Sequence, residues 1–378
     1  EAIRQLSLEV GYHNHMLVHV TLLPFIKASG ELKSKPTQHS VMKLREIGLS
    51  PDMILCRSEH AIEQSVRDKI ALFCNVRSDH VIEGRDVPSI YEVPLVMHEQ
   101  NAGHLIKERL KIKKTPKLKK LRSFIENYKN PKNQVTIAMC GKYTELIDSY
   151  KSVMESFVHA GVENNARVNI KWVKTEKIKS NVSAEKEFDG VDGILLLPGF
   201  GSRGVEGKVR SSKYARDTNT PFLGICLGLQ CAVIDYARNV CGLTDANSTE
   251  FNKKTKHAVI DLMESQKAIK IKGGTMRLGA YDCDILPGTK IFKAYRKDKI
   301  SERHRHRFEV NNKYKKILEK NGLTFSGVNS DLGVVEAIEI SDHPWYVASQ
   351  FHPELKSRVN KAHPLFRDFI KATIKNKS

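Results

Sequence analysis

No stretch of this chain reaches eighteen consecutive apolar residues, so no membrane-spanning helix is expected. It does not open on a basic segment followed by a short apolar run, and no secretory leader is expected either. The first residue is Glu1, and Ala2 to Val10 already reads as an amphipathic helix. No Cys-x-x-Cys pair occurs among the seven cysteines (Cys56, Cys74, Cys140, Cys226, Cys231, Cys241 and Cys283), whose number is odd and whose positions are scattered. That distribution excludes a disulfide framework or a zinc site and fits a reducing, cytoplasmic compartment. Nowhere is there a GxxxxGK[ST] sequence, the glycine-rich loop whose N–H groups cradle nucleotide phosphates. Negative charge is scarce: 43 acidic residues stand against 62 lysines and arginines, a net charge of +19. The basic residues are spread along the chain, with one dense run from Lys107 to Arg122 that no aromatic residue interrupts. Small polyphosphate substrates explain that charge more economically than nucleic acid does.

What is present centres on Gly224-Ile225-Cys226-Leu227-Gly228. It follows the apolar Pro221-Phe222-Leu223 and precedes a helical pattern from Leu229 to Arg238, giving strand, sharp turn and helix with a cysteine at the turn. The two glycines let strand and helix approach closely. The helix dipole and the free N–H groups of its first turn favour a thiolate there. Near the end of the chain stands Phe351-His352-Pro353-Glu354. In a strand, residues two apart point to the same side, so imidazole and carboxylate are expected as neighbours. Cys226 as nucleophile, His352 as proton shuttle and Glu354 as the holder of the imidazole tautomer complete a triad inventory. The oxyanion formed on attack needs N–H donors. One is expected at Leu227, directly after the nucleophile, and the other in the turn Pro198-Gly199-Phe200-Gly201.

The rest of the pattern alternates strands with helices, the mark of parallel α/β sheets. In the first part, Val18–Leu23 reads as a buried strand, 38–47 as a helix, Met53–Cys56 as a strand, 61–72 as a helix and 102–110 as another. A lysine-rich linker with Pro116 and Pro131 follows. A second domain opens at Val135–Met139 and runs through a helix at 149–160, strands at 168–173 and 193–197, and the elbow. Short strands dominate 259–350, and a helix at 365–375 closes the chain. The division expected is 1–106, a basic linker 107–133, and 134–378.

Leu197-Pro198-Gly199-Phe200-Gly201, the cysteine elbow and Phe351-His352-Pro353-Glu354 resemble the class I glutamine amidotransferases. Arg203-Gly204-Val205-Glu206-Gly207, Asn247-Ser248-Thr249-Glu250-Phe251, Gly274-Thr275-Met276-Arg277-Leu278-Gly279 and Glu302-Arg303-His304-Arg305-His306-Arg307 are similar to the CTP synthase family. So are Lys33-Ser34-Lys35-Pro36-Thr37-Gln38-His39-Ser40 and Ile70-Ala71-Leu72-Phe73-Cys74-Asn75.

The resemblance implies a partial Rossmann-like, P-loop-type synthetase domain followed by a doubly wound class I glutamine amidotransferase domain. It implies a magnesium- and ATP-dependent ligase that aminates UTP to CTP with ammonia taken from glutamine, is activated by GTP and assembles as a homotetramer. It places the oxyanion donors at Gly199 and Leu227, and the glutamine contacts at Phe200, Gln230, Glu250 and Arg307. UTP or product CTP is placed at Lys33, Lys35, Gln38, Lys69 and Asn75, with the two lysines on one side of an extended segment. ATP is placed at Arg57, Arg85, Asp86 and Val87. Family members carry the phosphate loop and magnesium ligands at the N-terminus, so a chain lacking that segment, with no metal site of its own, is expected. Family members also read Pro-Gly-Gly-Phe-Gly at the oxyanion turn, whereas here Pro198 takes the first glycine's place and has no N–H to offer. A stand-alone glutaminase-type hydrolase and a non-catalytic assembly subunit remain as alternatives.

Overall fold

The computed structural model describes residues 1–142, 147–262 and 276–377. Gly274 and Thr275 of the Gly274–Gly279 motif lie outside them. The chain divides into two compact units, 1–125 and 126–378.

In the first unit, strands Val18–Leu22, Met53–Ser58 and Val81–Arg85 form a parallel sheet in that spatial order. Helices Lys35–Glu46 and Gln64–Cys74 cover it. Leu23, Val41, Ile54, Cys56, Ile70 and Val81 fill the space between. Val18–Leu22 is not the buried strand expected. It lies at the sheet edge, and Val18, Val20 and Leu22 are 39%, 56% and 65% exposed, because nothing else in this unit covers that face. The helix at Lys35 starts three residues earlier than expected, since Pro36 at its first turn costs no hydrogen bond. The basic stretch is not all linker either: Lys119–Lys129 is a helix. Its Phe124 and Ile125 are buried, and the Phe124 ring stands 4.8 Å from that of Tyr91. Apolar side chains spaced for one helical face override the surrounding lysines.

The second unit is built on a nine-stranded sheet. Its spatial order is Lys299–His306, Arg277–Ile285, Leu323–Asn329, Val334–Ile340, Tyr346–Ser349, Phe222–Ile225, Gly193–Leu196, Asn133–Gly141 and Ala166–Lys174. Neighbours run antiparallel from Lys299–His306 as far as Tyr346–Ser349, and parallel from Tyr346–Ser349 to Ala166–Lys174. Alternate residues of the parallel strands feed two separate cores. Ala138, Cys140, Ile194, Leu196 and Phe222 pack toward helices Val205–Asp217 and Leu227–Asn239. Val135, Ile137, Met139, Leu195, Leu223 and Ile225 pack toward helices Lys151–Glu163 and Pro364–Lys377. Helices on both faces make the sheet doubly wound, which puts the ends of its parallel strands at one edge of the unit.

Candidate active site

Strand Phe222–Ile225 lies between Tyr346–Ser349 and Gly193–Leu196 and hands over directly to Cys226, the residue that caps helix Leu227–Asn239. Cys226 sits at φ 54°, ψ −100°. A non-glycine residue pays about 1–3 kcal/mol to be there. The surroundings hold it: its N–H donates to the Ser349 carbonyl at 2.7 Å, and its carbonyl accepts from the Gln230 N–H at 3.2 Å. A Cβ on Gly224 would stand 2.9 Å from Ala348 Cβ, and one on Gly228 2.7 Å from the Leu196 carbonyl oxygen. Only glycine lets helix and strands close on each other here, as the sequence suggested.

His352 and Glu354 are brought together as expected, with Nδ1 and Oε1 2.7 Å apart. The cause differs from the one inferred. They do not sit on a strand; Pro353–Leu355 is a single 3₁₀ turn, which folds the carboxylate back onto the ring. The His352 N–H donates to the Arg303 carbonyl at 2.8 Å and fixes the turn to strand Lys299–His306. Burial opposes charging the imidazole, but the Glu354 carboxylate and the Cys226 sulfur outweigh it and push His352 up to about 10. Cys226 and His352 line one cavity of about 400 Å³. By contrast, Cys140 and Cys231 are wholly buried thiols pushed up to about 12 by desolvation.

Two lysines that the sequence did not single out grip the Leu197–Gly201 turn. Lys208, 3% exposed, donates to the Leu197 carbonyl, and Lys142 donates to the Phe200 carbonyl. Burial pulls the Lys208 ammonium below its usual range, and nearby cysteine sulfurs partly restore it. The Gly201 N–H donates to Glu250 Oε1 at 2.8 Å. A Cβ on Gly199 would stand 3.6 Å from Leu227 Cδ2, so the two backbone positions expected to bind an oxyanion are neighbours.

A second cavity of about 320 Å³ opens on the other side of Cys226. It is lined by Phe200, Gln230, Glu250 and Arg307, all four positions that the resemblance gave for glutamine. Its volume is at the small end for ligand pockets. Arg303 and Arg305 are exposed on strand Lys299–His306 while His304 and His306 are buried beneath, and Arg307 follows just beyond the strand's end. The buried side holds Arg277 between Glu309 and Glu336, at 3.3 and 2.6 Å. A larger cavity of about 1000 Å³, lined by Arg296, Lys299, Lys356 and Arg358, contains none of the expected site residues.

The first unit places its candidates less compactly. Arg57 and Asp86 follow one another across adjacent strand ends, 3.4 Å apart, and Arg85 lies 3.6 Å from Glu83. Val87 follows them. Lys33 pairs with Glu31. Lys35 does not share an extended segment with Lys33; it is the first residue of a helix, because the turn begins before Pro36. Gln38 Nε2 donates to Ser34 Oγ at 3.0 Å. Lys69 is exposed on helix Gln64–Cys74, and Asn75 ends that helix in the left-handed region. Among the described residues no group of His, Cys, Asp and Glu has the arrangement of a metal site, and no helix is long and apolar enough to cross a membrane.

Sequence reasoning missed Lys142, Lys208 and Gln350. Gln350 Nε2 lies 3.6 Å from Cys226 Sγ. Its place two residues before His352 was the signal available.

The family model described as "Glutamine amidotransferase class-I" matches residues 145–372, and the one described as "CTP synthase N-terminus" matches residues 1–112. The CTP synthase of Caldanaerobacter subterraneus subsp. tengcongensis is 52% identical over 375 residues, covering 99% of this chain and 70% of that protein. The CTP synthase of Methanocaldococcus jannaschii is 50% identical over 383 residues, covering 100% of this chain and 71% of that one. Among solved structures, the Trypanosoma brucei CTPS glutaminase domain with bound acivicin aligns with a TM-score of 0.60 at 38% identity, over 64% of this chain and 94% of that one. The match from residue 1 to residue 112 shows that the chain carries sequence of the CTP synthase N-terminal domain, against the expectation that this segment is lacking. The chain belongs to the CTP synthase family, ligases that carry a class I glutamine amidotransferase domain.

Proposed function

We propose that residues 134–378 hydrolyse glutamine at a Cys226-His352-Glu354 triad and that residues 1–106 take part in aminating UTP with the ammonia released. The observation that carries this reading is Cys226, held at φ 54° on a helix N-terminus beside a buried His352–Glu354 pair. The Cys226 sulfur gives its proton to His352 Nε2 and adds to the side-chain amide carbon of glutamine. The Leu227 and Gly199 N–H groups stabilise the oxyanion. Pro198 excludes a donor one residue earlier. His352 returns the proton to the departing ammonia, leaving a thioester. It then takes a proton from water, whose oxygen adds to the thioester carbon, and glutamate leaves as Cys226 recovers its hydrogen.

Arg307 suits the substrate α-carboxylate, which its fork can grip at two points, and Glu250 suits the α-ammonium. Gln230 and Phe200 complete the lining. Glu250 accepts the Gly201 N–H at Oε1, and a carboxylate can accept from more than one donor, so substrate binding and the oxyanion turn share one carboxylate.

In the synthetase half, Lys33, Lys35, Gln38, Lys69 and Asn75 serve the pyrimidine nucleotide, and Arg57, Arg85, Asp86 and Val87 serve ATP. The resemblance to the family supports GTP activation and a homotetramer. Seven unpaired cysteines support a cytoplasmic, reducing compartment.

Replacing the nucleophile is the direct test. Cys226→Ala should abolish glutamine hydrolysis and covalent labelling by glutamine-like chloroketones; retained turnover would sink the assignment. For the nucleotide half, Lys35→Ala should weaken UTP binding in titration calorimetry while hydrolysis is unchanged. Unaltered UTP affinity would remove Lys35 from that site.

A further inference from the structure

Gln350 is fully buried and follows strand Tyr346–Ser349. Its backbone N–H donates to the Glu336 carbonyl at 2.7 Å. Its side chain is also fixed, and the orientation of the amide follows from its neighbours rather than from its shape. The Phe308 carbonyl can only accept, so the group of Gln230 that faces it at 3.1 Å is the NH₂. The same NH₂ lies 3.3 Å from the Gln350 side-chain oxygen, which therefore accepts. That leaves the Gln350 NH₂ as the group 3.6 Å from Cys226 Sγ, within hydrogen-bond range for sulfur.

We propose that Gln350 is a catalytic residue: its side-chain N–H donates to the nucleophile sulfur, stabilising the Cys226 thiolate and aiming it, while Gln230 fixes the orientation of the amide. The inference rests on the reading of Cys226 as the nucleophile. The proton leaves Sγ for His352 Nε2, and no bond to Gln350 forms or breaks. The amide supplies one donor to the charge that develops on sulfur, and, buried and held by Gln230, it cannot rotate away. The Cys226 sulfur otherwise meets an acceptor, the Arg305 carbonyl at 3.9 Å, which suits the thiol and not the thiolate. The Gln350 NH₂ favours the charged form by direct contact.

The test compares wild type with Gln350→Met, which removes the donor and keeps the volume, and Gln350→Glu, which keeps the shape and puts an oxygen where the NH₂ was. The rate of Cys226 alkylation by iodoacetamide is followed against pH, with kcat and KM for glutamine measured in parallel. Loss of a donor to a charged sulfur should move the midpoint of the alkylation curve up by about one pH unit and lower kcat near neutrality about tenfold, with KM nearly constant. The alkylation rate at high pH should match wild type, because the thiolate then forms without help. Superimposable alkylation curves, or a rate reduced equally at every pH, would overturn the proposal and leave Gln350 a packing residue. If one variant fails to fold, the other carries the comparison. Failure of the underlying reading shows differently, as hydrolysis that survives in Cys226→Ala.

Discussion

Substituting Gly228 by alanine should test whether the elbow's close approach is needed for chemistry. The added Cβ would lie 2.7 Å from the Leu196 carbonyl oxygen and 3.0 Å from Leu196 Cβ. Ordinary contact begins at 3.4 Å, so the shortfall to the carbonyl is about 0.7 Å. Neither neighbour can yield by rotating. Leu196 is the last residue of a strand hydrogen-bonded to a neighbour on each side, and its Cβ moves only with the backbone. The helix must therefore back away, taking the Leu227 N–H and the Cys226 backbone with it. Overpacking of this kind costs about 1–3 kcal/mol. In a unit of this size, that lowers Tm by roughly 2–12 °C. Displacement of the proposed nucleophile and oxyanion donor by a large fraction of an ångström should lower kcat for glutamine roughly ten- to hundredfold. UTP binding should be unchanged. Differential scanning calorimetry and steady-state glutaminase assays read the two effects. A Gly228→Ala protein with wild-type Tm and a kcat within twofold of wild type would show that the approach is not tight, and the structural reasoning about the elbow would fall.

Two further outcomes follow from the site. His352 is raised from 6.5 to about 10, so the stability it contributes is fully present below pH 6.5 and lost as pH rises through about 10. The stability margin of wild type over Glu354→Gln in urea denaturation should accordingly be largest near pH 6 and shrink toward pH 10; a margin that grows with pH would contradict the ion pair. For the oxyanion turn, Gly199→Pro should lower kcat by about a hundred- to a thousandfold through loss of an N–H donor, while Pro198→Gly changes little. A severe loss in Pro198→Gly with an active Gly199→Pro would move the donor elsewhere.

Much of this protein was legible in its sequence because the informative features are local. Glycines around Cys226 imply a tight elbow wherever the chain folds, and the spacing of His352 and Glu354 brings them within reach of each other through one turn of backbone. Strand and helix alternation gave the doubly wound sheet, since burial on two faces leaves its mark on successive residues. The long-range features had no such mark. Val18–Leu22 has the composition of a buried strand, yet its position at a sheet edge is decided by which elements lie beside it. The helix at Lys119–Lys129 was hidden because two buried residues, Phe124 and Ile125, outweigh its basic and polar neighbours only once there is a surface to bury against. Lys208 reads as one more lysine of a basic chain until the fold buries its ammonium under the Leu197 carbonyl. Gln350 could be seen in the sequence, but its donor role depends on a chain of contacts through Gln230 to Phe308, which are 120 and 78 residues apart along the sequence. The sequence determined the elbow, the His352–Glu354 pair and the family motifs, because these depend on backbone geometry over a few residues. The tertiary structure decided which polar groups face one another across the site, because hydrogen-bond direction is set by partners that only the fold brings together.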